Sequence, residues 1–141
     1  MIKLGVIGCG GIATHQLNCV WEDSRFELVA GADIRPEQLD LFREKFGLQH
    51  GYADFRAMLA EEHLEAVMIC TPTFLHAEMA IAAAEAGLPV FCQKPMAMCS
   101  YDCHRMIQAA RAHGTRIQVG FVRRFDTDWG ALKSVVESGE L

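Results

Sequence analysis

The chain has 141 residues, of which 51% are hydrophobic and 22% charged, and its formal net charge is −5; this is material for about one packed domain. The mild acidity argues against nucleic acid or an anionic membrane as the main partner, and no apolar run approaches the roughly 18 to 20 residues of a spanning helix. The opening MIKLGVIGCGG carries one lysine and too short an apolar run for a secretion signal, so a cytoplasmic protein is the expectation.

Strand and helix patterns alternate along the whole chain. IKLGVI reads as a buried strand broken by Gly8 to Gly11, and a helix follows to about Trp21. ELVAGA (27–32) is a second strand closed by Asp33. Pro36 then opens a helix with Leu39, Phe42 and Phe46 on one face and Gly47 at its end. His50 to Tyr52 reads as a short strand and Phe55 to Ala60 as a short helix. AVMIC (66–70) is a clear strand ended by Thr71-Pro72, followed by a helix from Phe74 to Ala86 with Thr73 as its N-cap and Gly87 as its stop. Pro89 to Cys92, a helix from Ser100 to His113, Arg116 to Phe121 and a helix from Asp128 to Ser138 complete the series. Such alternation predicts an α/β doubly wound parallel sheet, because right-handed crossovers place helices on both faces. Residues 1–121 form that domain in this reading. Residues 122–141 are a connecting segment and helix, with nothing left over for a second domain.

Gly8-Cys9-Gly10-Gly11-Ile12-Ala13 fits G-x-G-x-x-G/A between the first strand and the first helix. Gly8 permits the tight turn, Gly10 lets backbone approach a pyrophosphate, and Ala13 lets the helix pack close to the sheet. The helix start at Gly11 and Ile12 offers free N–H groups to phosphates. Asp33, ending the second strand, suits the ribose hydroxyls of NAD and repels the 2′-phosphate of NADP. Arg35 works against that selection, since its charge suits a phosphate if Asp33 turns away; NAD is the expected cofactor, with NADP possible.

Ligands of doubly wound sheets lie outside the carboxyl ends of the strands. Thr71-Pro72, Gln93-Lys94-Pro95 and Gly120 to Arg124 end strands four, five and six, on the edge that carries the glycine turn. That places Lys94 where the nicotinamide end of a dinucleotide would lie, with Pro95 fixing the backbone that aims it; the plainer reading is a surface lysine after a strand. His76 either lines the cofactor pocket or makes a local hydrogen bond at a helix start. His15, His50, His63, His104 and His113 read as solvated or helix-end residues, Trp21 and Trp129 as packing residues, and Asp126 and Asp128 as caps of the last helix. The six cysteines include no C-x-x-C pair and read as free thiols, and Cys99, Cys103 and His104 lack the second pair of soft ligands that zinc needs. No metal is expected.

The blocks GCGGIA (8–13), AD (32–33), CTPTFLHAEMA (70–80), AGLPVFCQKPMA (86–97) and VGFVRRFD (119–126) resemble those of the Gfo/Idh/MocA oxidoreductases, the glucose-fructose oxidoreductase and inositol dehydrogenase type. The likeness spans nearly the whole chain, and the last block looks most like the inositol dehydrogenase branch. It implies a Rossmann-type cofactor domain, with Lys94 as the catalytic residue contacting cofactor ribose and substrate. It also implies Pro72 near the nicotinamide and the segment around Arg123 and Arg124 bordering the active site. The activity implied is hydride transfer between nicotinamide and a secondary alcohol of a sugar or polyol, in a homo-oligomeric full-length parent.

Two features depart from the family. Its usual E-K-P reads Gln93-Lys94-Pro95 here, which removes a charge beside the lysine. Its members also continue into an open-faced sheet domain bearing most substrate contacts, so an isolated cofactor domain without activity is expected. The rival reading is a dinucleotide-binding module for regulation or redox sensing, which needs no cation at the nicotinamide end.

Overall fold

The computed structural model describes residues 1–20 and 23–139; Trp21, Glu22, Glu140 and Leu141 lie outside them. Six strands form one wholly parallel sheet: β1 (Ile2–Ile7), β2 (Phe26–Ala32), β3 (His50–Tyr52), β4 (Ala66–Ile69), β5 (Val90–Cys92) and β6 (Ile117–Val119), in the spatial order β3-β2-β1-β4-β5-β6. The order reverses between β1 and β4, which makes that pair the topological switch point. Six α-helices are described: α1 (Gly11–Val20), α2 (Pro36–Phe46), α3 (Phe55–Glu61), α4 (Thr73–Glu85), α5 (Ser100–Ala112) and α6 (Thr127–Ser138).

Alternating side chains of the strands feed two separate cores. Val6, Leu28 and Met68 pack with Ala13 and Leu17 of α1 and with Phe42 and Phe46 of α2. Ile7, Val67 and Ile69 face the other way, onto Met58 of α3, the alanine-rich face of α4 and Met106 of α5. Leu28 and Ala30 are two apart yet belong to different cores. The reason is a one-residue register shift, Leu4 pairing with Leu28 but Gly5 with Ala30. Ala77, Ala80, Ala83 and Ala84 on α4 are buried, as close packing on a sheet requires.

Several ends differ from the sequence reading. Thr73 is the first residue of α4 rather than its cap: Pro72 holds the N-cap position, extended at φ −57° and ψ 143°, and no side chain caps the helix. Strand β6 stops at Val119, and residues 122–125 form a 3-10 turn. Asp126 caps α6 by accepting the N–H groups of Asp128 and Trp129, whereas Asp128 sits in the first turn. Trp129 is 50% exposed instead of packed, with the Arg123 guanidinium 5.5 Å from its ring centroid.

Phe42 is 2% exposed, and its ring centroid lies 4.8 Å from that of Phe46 between α2 and the sheet. Phe42→Ala is expected to cost about 3 to 5 kcal/mol of stability through lost burial and the cavity left behind. Urea unfolding checks this, and an unmoved midpoint would exclude α2 from the cooperative core.

Candidate functional site at the carboxyl edge of the sheet

Backbone hydrogen bonds run one residue past the strands and tie their carboxyl ends together. Gly8 N–H donates to Ala32 O at 2.7 Å, Cys70 N–H to Ile7 O at 2.8 Å, Gln93 N–H to Ile69 O at 3.0 Å and Gly120 N–H to Cys92 O at 2.9 Å. The glycine turn, the Thr71-Pro72 loop, the Gln93-Lys94-Pro95 loop and the segment after β6 therefore share one edge, as the strand order requires.

The turn after β1 depends on its first glycine. Gly8 has φ +88°, and a Cβ there would lie 2.8 Å from Thr71 Cγ2 and 2.9 Å from the Cys70 carbonyl carbon. A side chain would thus meet both backbone strain and the β4 loop. Gly11, by contrast, faces open space, and Ile12 is 55% exposed beside it. Ala13 is fully buried, which lets α1 lie against the sheet.

Asp33 is held from both sides. Its Oδ2 accepts the Cys9 N–H at 3.0 Å, and its Oδ1 accepts the Arg35 N–H at 3.0 Å and Nε–H at 3.3 Å. A cleft of about 290 Å³ opens beside it, bringing together Gly8, Gly10, Asp33, Arg35, Thr71 and Pro72. Its remaining wall is apolar: Ile34, Ala53, Phe55, Phe74, Leu75 and Met79 contribute. These residues were not singled out from the sequence. Ile34 and Phe74 are 83% and 68% exposed, and no local pattern in the sequence marks them as members of one wall.

Gly11, Ile12, His76, Gln93, Lys94 and Arg123 do not line that cleft. His76 is 1% exposed, with Nδ1 2.9 Å from Pro95 O and Nε2 3.0 Å from Thr71 O. These contacts link the loops that follow β4 and β5. Lys94 is exposed, and its peptide bond to Pro95 is cis. Gln93 is 8% exposed; its Oε1 accepts the Lys94 N–H at 3.3 Å, and its Nε2 has no partner among the described residues. Arg123 pairs with Asp126 at 2.8 Å.

Residues 2–121 match the profile of an oxidoreductase family with an NAD-binding Rossmann fold. The chain belongs to the Gfo/Idh/MocA family. As a member of it, the chain is 41% identical over 143 residues to inositol 2-dehydrogenase of Pseudomonas savastanoi pv. phaseolicola, covering 99% of this chain and 43% of that protein. The WlbA dehydrogenase of Bordetella pertussis, solved with NADH and UDP-GlcNAcA, superposes with a TM-score of 0.91 at 32% identity, over 98% of this chain and 42% of the other. Scyllo-inositol dehydrogenase of Lactobacillus casei, solved with NAD(H) and scyllo-inositol, gives 0.87 at 28% identity, over 99% and 42%. The chain spans about two fifths of the length of the curated relatives it matches. It is an NAD-binding Rossmann domain of an oxidoreductase family. Among the described residues, no helix is long and apolar enough to cross a membrane, and no three His, Cys, Asp or Glu are grouped to hold a metal ion.

Three thiols lie on or just beneath this edge. Burial above all pushes Cys9, Cys70 and Cys92 up to about 12 from 9.0, with the charge of Asp33 adding to the effect at Cys9. The folded state keeps these protons where an unfolded chain gives them up, so stability is fully present below pH 9 and falls as pH rises toward 12. The slope is at most about 1.4 kcal/mol per pH unit for each thiol. Tyr52, raised to about 12 chiefly by its hydrogen bond to Glu62, acts in the same direction. Urea midpoints taken between pH 8 and 11 are expected to fall, and less steeply in Cys92→Ala; a flat profile would contradict the burial of these thiols.

Proposed function

We propose that this domain serves an NAD(P)-dependent dehydrogenase that moves a hydride between nicotinamide and a secondary alcohol carbon of a sugar or polyol, with an inositol-like ring as the substrate class. The observation that carries the reading is the common edge, which has a glycine turn and a carboxylate at one part and an exposed lysine two strands away. Relatives named as inositol dehydrogenases support the substrate class, as do structural neighbours solved with scyllo-inositol and UDP-GlcNAcA.

In this reading the N–H groups of Gly10 to Ile12 receive the pyrophosphate, and Asp33 accepts from the adenosine ribose. The apolar wall of Ile34, Phe74 and Leu75 takes the flat base out of water. Pro72 and Thr71 lie toward the nicotinamide, whose C4 supplies or accepts the hydride when the cofactor is bound. Lys94 donates a hydrogen bond to the substrate oxygen and steadies the charge that develops there. The hydroxyl proton passes to a base outside these residues. Residues 122–141 connect the Rossmann unit, residues 1–121, to the part that holds the substrate. The exposed apolar side chains of Phe125, Trp129, Leu132 and Val136 fit such a connection.

Binding and turnover are then separable. Hydride transfer needs both reactants in near-attack geometry, and losing that orientation forfeits on the order of 7 to 11 kcal/mol. The 141-residue chain is expected to bind NAD, to bind it less well as Asp33→Ala and almost equally well as Lys94→Ala, and to form no NADH with myo-inositol. Calorimetry and NADH absorbance check these outcomes. Turnover by the short chain would place the whole catalytic site within it, and NAD binding indifferent to Asp33 would remove the ribose assignment. In a longer parent enzyme, Lys94→Ala leaving turnover unchanged would reduce Lys94 to a surface charge, and a longer parent that binds NAD but turns over no polyol would favour a non-catalytic module.

A further inference from the structure

The ladder between β4 and β5 ends with Ile69 beside Cys92, and one further backbone bond, Gln93 N–H to Ile69 O at 3.0 Å, closes it. Beyond that point, among the described residues, the Thr71-Pro72 and Lys94-Pro95 loops share no backbone hydrogen bond. They are joined through His76, whose Nδ1 lies 2.9 Å from Pro95 O and whose Nε2 lies 3.0 Å from Thr71 O. Lys94 is thereby fastened on both flanks, by the Gln93 N–H before it and the Pro95 carbonyl after it. The ring itself sits on a rigid element. His76 is the fourth residue of α4 and 1% exposed, and Ala77 and Ala80 beside it pack that helix into the core. The two loops are not held equally. Thr71 has a second tie to α4, its hydroxyl lying 3.3 Å from the Met79 sulfur, whereas among the described residues the Lys94-Pro95 loop is hydrogen-bonded to that helix by His76 alone.

Two loops that must meet one ligand need a fixed spacing, held by a group whose own rotamer is locked by packing. We propose that His76 is a positioning residue: by spanning Thr71 O and Pro95 O, it fixes the distance between the loop assigned to the nicotinamide and the loop that carries Lys94. Its ring does not line the cleft, so it acts through these loops rather than by touching the ligand. The inference rests on the dinucleotide reading above and adds the residue that sets the geometry between two of its parts. A loosened spacing is felt at the nicotinamide end alone, because the glycine turn and Asp33 are tied together through β1 and β2, not through α4.

The test is calorimetric titration of the 141-residue chain and three variants with NADH and with ADP-ribose, which keeps the adenosine, pyrophosphate and second ribose but lacks the nicotinamide. His76→Phe keeps a buried ring without either contact; His76→Asn places an amide near the Nδ1 position only, and His76→Gln near the Nε2 position only. Melting curves establish which variants are folded. The parent chain is expected to bind NADH about tenfold more tightly than ADP-ribose. His76→Phe is expected to bring the two within about twofold, with ADP-ribose staying within about threefold of its parent affinity. His76→Asn, which keeps the Pro95 side, is expected to retain more of the preference than His76→Gln, because Thr71 has its second tie to α4. A parent-like preference in His76→Phe would overturn the proposal, as would equal weakening of both ligands, the mark of a residue that only holds the fold. If His76→Phe does not fold, the Asn and Gln variants decide, and a preference unmoved in both overturns the proposal. A parent that binds both ligands equally would remove the nicotinamide from these loops and this inference with it. A parent that binds neither would overturn the dinucleotide reading itself.

Discussion

The close approach of β1 to β4 is the constraint on which the rest of this structure depends. At the switch point the chain leaves β1 through Gly8, whose missing Cβ would collide with both backbone and side chain of the Cys70-Thr71 segment. The φ of +88° at Gly8 adds a second reason for glycine. With β1 and β4 in contact there, the turn can hand the chain directly into α1, and Ala13 rather than a larger residue lies against the sheet. Asp33 then comes within 3.0 Å of the Cys9 N–H. Steric necessity at one residue thus brings a glycine turn and a carboxylate into one cleft.

Much of this was legible in the sequence because period and punctuation are local. The alternation of apolar runs with helical patterns predicts all six strands, and Gly47, Gly87 and Gly114, each found at positive φ, mark helix ends. The apolar wall was not legible. Ile34, Phe55 and Phe74 look like ordinary members of a loop and two helix starts, and they meet only because β2, β3 and β4 end on the same edge. Thr73 misled for a different reason. Threonine before an apolar run is a good N-cap by type, but Pro72, already extended, takes that position.

The departure at Gln93 has a physical account. The side chain is 8% exposed, and its Oε1 is engaged by the Lys94 N–H. A carboxylate there would be a buried anion, costly unless paired, while an amide keeps the hydrogen bond without the charge. The cost is smaller and of another kind: a buried Nε2 without a partner among the described residues. Lys94 consequently has no neighbouring anion in its own loop, and the alignment of that loop rests instead on His76. Its Nδ1 and Nε2 face two carbonyl oxygens, Pro95 O and Thr71 O. The two loops are therefore coupled through one ring rather than bonded independently.

The edge is built unevenly, and its unevenness matches the division of work proposed for it. Around Asp33 the polar groups are fixed by backbone: two of the three donors to its carboxylate are main-chain N–H groups. Such groups need little reordering when a ligand arrives, and recognition there depends little on what lies elsewhere in the chain. Lys94 carries its charge on a flexible exposed side chain, with no ion pair among the described residues. A long ammonium side chain loses considerable rotamer freedom when it is fixed, so a second surface that confines it contributes directly to its alignment. Cofactor binding can accordingly be a property of this domain alone, whereas the proposed role of Lys94 requires a second surface to confine its side chain.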